Sequence, residues 1–245
     1  MRQLAAMLML VLAVHALHAQ SDYYLKEIVH ADRYSWGSLK ESKFLRSNEL
    51  WLGHQRVASI EQDRTVIVDL TIDSMYILNT KMRTYVATSF PPALPEILGD
   101  DLRWMYKQGT SSARVKPTED TRDICGHSCT KYEVTTWRES HGSRSDTQEM
   151  VVWACATLPA DWSAYREMVD AMRMVFNRDE AGRGELAKID GVQMSIEFSE
   201  GGWFSDRKLV SEIVEVTPRE APEGVYSVPS DYRRVECLAK ADLGF

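Results

Sequence analysis

The chain has 245 residues, 44% of them hydrophobic, and a formal net charge of −7. That length suits one domain with a generous core, or at most two small ones. Its basic residues are scattered among acids rather than clustered. This disfavours nucleic-acid binding and attachment to anionic lipid surfaces.

The first twenty residues, MRQLAAMLMLVLAVHALHAQ, read as an export signal. Arg2 supplies a positive start, Leu4 to Leu12 are apolar with small alanines between, and LHA ends at Ala19 with a small residue. A signal peptide is expected over residues 1–19 and a single domain over 20–245. Losing Arg2 takes the net charge from −7 to −8. The apolar run is shorter than the ~20 residues of a membrane span, and no cysteine follows it to carry an acyl chain. No stable membrane insertion is therefore expected after cleavage, and the mature chain is expected to be periplasmic or secreted.

From Tyr23 to Phe90 short runs rich in Val, Ile, Leu and Tyr alternate with polar residues. Turns are expected at GH (53–54), EQD (61–63), IDS (72–74) and NTK (79–81). In TVIVDL, Val66, Val68 and Leu70 share one face, Ile67 and Asp69 the other. Strands this short, each followed at once by the next, make an antiparallel meander.

The period then changes. PPALPEILGDDLRWMYKQG places Leu94, Leu98, Leu102 and Met105 in one helical stripe, weakened by Gly99. TSSARVKPTEDTRD reads as a polar stretch before more strands. In LPADWSAYREMVDAMRMVF, Asp161 is the expected N-cap, with Trp162, Tyr165, Met168, Val169, Met172 and Phe176 on one side. NRDEAGRGELAKIDG reads as a polar loop, EGGW as a turn, and VQMSIEFSEGG with KLVSEIVEVTP as a closing hairpin. The expected fold is α+β: a curved, mostly antiparallel sheet, an open half-barrel, with two amphipathic helices packed on its concave face.

CTKYEVTTW and TQEMVVWAC read as the arms of a hairpin turning at Gly142, paired so that residue numbers sum to 284. That register sets Tyr132 opposite Val152, Val134 opposite Met150 and Cys129 opposite Cys155. Opposed cysteines suit a cross-strand disulfide, and in an exported protein Cys125 and Cys237 are then left to bond together. Four cysteines allow two other pairings as well. Cys125, His127 and Cys129 on one side of a strand offer a metal site instead, but no fourth ligand is evident. No metal and no cofactor are expected.

No nucleophile elbow, zinc-protease helix or phosphate-cradling loop occurs, and His54 and His141 fall in turns where a solvated side chain is the ordinary outcome. The protein is not expected to be an enzyme; an exported hydrolase is the least favoured reading. The apolar helices are the better lead, because methionine adapts to varied apolar ligands. Leu98, Leu102, Met105, Trp162, Tyr165, Met168 and Met172 are the expected ligand-lining residues, although the same stripes also suit plain core packing. The expected partner is a lipid or other apolar small molecule. The alternative is an envelope protein bound by a module with a filled core.

Several stretches together resemble a secreted family, domain of unknown function 4412. They are VIVDLTIDSMYILNTKMRTYVA, GHSCTKYEV, MVVWACATLP and APEGVYSVPSDYRRV, in that order, across most of residues 22–236. The resemblance implies a curved antiparallel sheet with helices inside it, similar to the periplasmic lipoprotein carriers. It brings no activity and no catalytic residues. Cys125, Cys155 and Cys237 depart from the family's usual pattern.

Overall fold

Tight turns after Gly53, Glu61, Asp69 and Asn79 force the chain back on itself four times, and the meander expected from the sequence forms. Gln55, Asp73 and Arg83 take positive φ in three of these turns. The computed structural model describes residues 22–35, 38–107, 110–140, 143–176, 180–200, 206–239 and 242. The expected signal peptide, the GGW of the EGGW turn, His141 and Gly142 lie outside them.

The strands in chain order begin with β1 (Tyr23–Ser35), β2 (Ser38–Gly53), β3 (Arg56–Ile60), β4 (Arg64–Asp69), β5 (Ser74–Asn79) and β6 (Thr84–Ser89). Helices α1 (Leu94–Ile97) and α2 (Asp100–Lys107) follow. Next come β7 (Thr110–Ile124), β8 (His127–Ser140), β9 (Ser143–Cys155), α3 (Ser163–Phe176) and α4 (Glu180–Leu186). The chain closes with β10 (Val192–Glu200), β11 (Asp206–Pro218) and β12 (Arg233–Arg234). Among the described residues they build one open twelve-stranded sheet, ordered β12-β6-β5-β4-β3-β2-β1-β11-β10-β9-β8-β7. Every pairing is antiparallel except the short β12–β6 contact. The fold is α+β with the sheet dominant.

The faces of β4 divide as the alternation requires. Val66 and Val68 join the main core, on the concave side with α3, while Ile67 joins a second cluster with Tyr24, Trp51, Ala58 and Leu78. The β8–β9 register also holds: Tyr132 pairs with Val152 and Val134 with Met150. A bulge between Thr136 and Arg138 then shifts the register toward the turn.

Three expectations are corrected. TSSARVKPTEDTRD is not a leading-in loop but most of strand β7, which pairs with β8 on both sides of an irregularity between Pro117 and Thr121. NRDEAGRGELAKIDG contains helix α4, which Gly182 and Gly184 conceal from propensity reasoning. Contacts hold it: Glu185 Oε2 accepts the Val115 N–H at 2.9 Å and Leu186 packs against Val115, Tyr132 and Val152. The first expected helix is broken in two at Gly99. The Gly99 N–H donates to Leu238 O at 2.8 Å and the Leu238 N–H donates to Ile97 O at 2.6 Å, so the C-terminal segment enters the gap.

Gly99 has no room for a side chain there, since a Cβ would lie 2.8 Å from Leu238 O. Gly99→Ala is therefore expected to lower the thermal midpoint. A gain of about 1 kcal/mol, which helix propensity alone would give, would show that the Leu238 contact yields.

Candidate functional site

Helix α3 packs closely on the sheet because its contact face is built from small residues as well as large ones. Ala164 and Ala171 are fully covered, and with Tyr165 and Met168 they enter the main core beside Val57, Val66 and Val68. The Tyr165 hydroxyl accepts the Gln193 N–H at 3.2 Å, tying the helix to β10. Burial pushes this phenol up to about 12, against the opposing pull of that hydrogen bond.

The start of α3 is pinned to the β2–β3 turn by Asp161. Its Oδ1 accepts the Ser163 N–H at 3.1 Å and the Ser163 hydroxyl at 2.6 Å. Its Oδ2 accepts the Gln55 N–H at 3.0 Å and lies 2.9 Å from His54 Nδ1. Asp161 thus caps from one residue before the position expected, through an Asx turn. Burial alone would raise its pKa. The bonds from Ser163, Gln55 and His54 outweigh that and hold it below the ordinary 3.8. His54 is solvated, as its turn position suggested, but it also has this partner. The arrangement is not a nucleophile relay, because Ser163 and His54 both bind the carboxylate and no imidazole stands between hydroxyl and acid.

Beyond α3 lies an open cleft of about 1080 Å³. Val66 and Ser59 form one wall, Met150, Val152, Ile196 and Phe198 the floor, and Met168, Val169 and Met172 the helical wall, with Leu186 and Ile189 at the far side. Glu61, Arg64, Arg138 and Arg173 add charge to the lining. Arg64 lies 2.5 Å from Glu61 and Arg173 lies 2.9 Å from Asp170.

Of the expected lining residues, Met168 and Met172 reach this cleft, and Met168 also belongs to the core. Tyr165, Leu98 and Leu102 are core residues that do not line it; Trp162 packs on the core's edge with Arg166 over its ring at 4.3 Å. The Met105 side chain lies outside the described residues. Met150, Phe198 and the three arginines were not among the expected lining residues. They come from strands and helices far apart in the chain, so no local pattern marks them.

Among the described residues no group of three or more His, Cys, Asp and Glu is placed to hold a metal ion. The one-sided Cys125, His127, Cys129 arrangement does not form, because Cys125 sits with Gly126 in the β7–β8 turn at φ 54° and 81°. No described helix is long and apolar enough to cross a membrane.

All four cysteines are free thiols in this structure, so neither expected bond, Cys129–Cys155 or Cys125–Cys237, is formed in it. Cys129 and Cys155 are fully buried, and the residues next to them, Thr130 and Ala154, pair in the expected register. Burial, with the neighbouring Cys155, pushes the Cys129 thiol up to about 12. The other two engage different carbonyls: Cys125 Sγ lies 3.4 Å from Ile213 O, and Cys237 Sγ 4.0 Å from Glu96 O.

The model of one family, domain of unknown function (DUF4412), matches residues 45–232. The chain belongs to the DUF4412 family. Two solved structures of PNGF-II are similar to this member at 9% and 11% identity, with TM-scores of 0.38 and 0.41. These matches cover 86% and 88% of this chain but 31% of each PNGF-II chain, so it spans about a third of their length. A DUF1329 family protein from Desulfovibrio piger ATCC 29098 is similar at 8% identity and TM-score 0.21, covering 88% of this chain and 93% of that one. No curated protein matches.

Removing the Asp161 carboxylate tests the pinning. Asp161→Ala is expected to cost roughly 0.5–2 kcal/mol at pH 7, the usual range for a lost helix cap. A carboxylate whose folded pKa is depressed stabilises above its unfolded value and loses that stabilisation as pH falls through the folded one. The gap in melting temperature between wild type and variant should therefore hold near neutrality and close below about pH 4. A gap independent of pH would remove the charge from the explanation.

Proposed function

We propose that this DUF4412 protein is an exported, non-catalytic binding protein that holds a lipid or other apolar molecule in the cleft beside α3. The observation that carries the reading is the cleft itself, about 1080 Å³, with Met150, Met168 and Met172 among its lining residues. That volume is at the upper end of the roughly 300–1,000 Å³ of small-molecule sites. Methionine side chains adapt to ligands of varied shape at little cost. The fold that the family resemblance implies, similar to the periplasmic lipoprotein carriers, points the same way, as does the export signal read from residues 1–19.

The test uses a neutral fluorescent alkyl ester and two substitutions that separate binding from folding. Met172 is half-buried on the cleft wall, so Met172→Lys is expected to abolish saturable uptake while the lysine snorkels outward and the fold persists. Met168 is buried in the core as well, and Met168→Ala is expected to cost about 2–5 kcal/mol. Wild-type protein that takes up no ester, and carries no copurified lipid in native mass spectrometry, would leave the cleft without a ligand and the reading without support.

An oxidising destination also bears on the thiols. Opposed residues of an antiparallel pair lie within the span of a disulfide, so the exported protein is expected to close Cys129 on Cys155. Non-reducing peptide mapping of protein collected from the periplasm or medium checks this. Reduction should then lower stability by about 2–4 kcal/mol; four alkylatable thiols in that material would place the mature chain in a reducing space or leave the pair unbonded.

A further inference from the structure

We infer that the ligand of the cleft is an anionic amphiphile, a long alkyl chain ending in a carboxylate or phosphate, with its head held by Arg173 and Arg138. The inference rests on the binding reading above and deepens it. Among the described residues the charged lining of the cleft is one acid, Glu61, and three arginines, Arg64, Arg138 and Arg173. This excess of positive charge occurs in a chain whose net charge is −7, so composition alone would place acids there.

Two of the arginines are drawn well out of water. The Arg64 and Arg173 side chains are only 17% and 16% exposed, and a guanidinium is costly to desolvate without an anion to answer it. Each has a carboxylate neighbour. For Arg64 this is Glu61, inside the cleft; for Arg173 it is Asp170, which does not line it. Arg138 is exposed on β8, at the bulge where the floor strands shift register. The planar fork of an arginine presents paired donors that match a carboxylate or phosphate. An apolar floor of Met150, Ile196 and Phe198 lies in the same cleft as these cations, which is the pairing an amphiphile with a negative head requires.

The experiment displaces the neutral fluorescent ester with hexadecanoate, hexadecyl phosphate and methyl hexadecanoate, which share one chain and differ in head. Both anions, or one of them, should displace the probe at about tenfold lower concentration than methyl hexadecanoate, the worth of one charge-assisted hydrogen bond. Which anion has the larger advantage distinguishes a fatty acid from a phosphate-bearing lipid. The ratio of anion to methyl hexadecanoate displacement, read on one protein, should fall to about one in the Arg138→Gln/Arg173→Gln variant. Should the double variant unfold, Arg138→Gln alone, at an exposed position, should reduce it. Equal displacement by all three compounds overturns the inference and leaves the cleft reading standing, as does an anion advantage that survives in the variants. Failure of wild type to bind even the ester overturns both.

Discussion

One helix is too short for the face it must cover, and most of the architecture follows from that mismatch. A fourteen-residue helix is about 21 Å long. Twelve strands spaced about 4.8 Å apart span about 53 Å. Curving the sheet shortens the distance, but α3 lies mainly over β3 and β4, where Ala164, Tyr165, Met168 and Ala171 enter the core. Helix α4 reaches the opposite wing, on β7. Between the two helices part of the inner side of β9 and β10, around Met150, Ile196 and Phe198, stays open, and the cleft is that remainder.

The two faces of the meander half are treated differently. On the inner side the core is closed by α3 and by Leu98 and Leu102. On the outer side the segment after β11 lies across the strands. Ala221, Val225, Tyr226, Val228 and Tyr232 pack against Tyr24, Trp51, Ile67 and Leu78. Arg219 stacks over both Tyr24 and Trp51, at 3.9 and 4.7 Å from the ring centres, as a guanidinium over an aromatic face favours. The same segment then pairs β12 with the exposed edge of β6 and ends with Leu238 buried between the halves of the broken helix. An uncovered strand edge invites pairing with other chains, and this strap removes one. The meander is thereby enclosed on both faces and at the start of its edge strand, at Thr84 and Tyr85, which suits a rigid wall for a site lying to one side of it.

Much of this was legible in the sequence because it depends on local pattern. Turn residues placed the four reversals, alternation separated Val66 and Val68 from Ile67, and a numerical register matched Tyr132 to Val152. The failures have one cause. Strand β7 and helix α4 have weak local signals, polar in one case and glycine-bearing in the other, and are held by partners distant in the chain. Glu185 satisfying the Val115 N–H is such a partner, and so is Leu238 breaking the first helix at Gly99. The site divides in the same way. Met168 and Met172 could be found because they share a helical stripe, whereas Arg64, Arg138 and Arg173 meet only when β4, β8 and α3 are brought together.

The β8–β9 pair connects the two kinds of information. At one end of it Cys129 and Cys155 are buried, and Gly191 is pressed so closely that a Cβ would lie 2.2 Å from the Cys155 carbonyl carbon. Gly191 also holds φ at 103°, a conformation other residues rarely adopt. A side chain at 191 is therefore excluded, where β10 closes on the end of β9. Toward the other end the ladder tolerates a bulge between Thr136 and Arg138, and here the strands pass Trp137, Arg138 and Gln148 to the cleft. A register slip of one residue would turn Met150 and Val152 away from the cleft and replace them with Glu149 and Val151. The register of this ladder therefore decides which side chains the cleft receives.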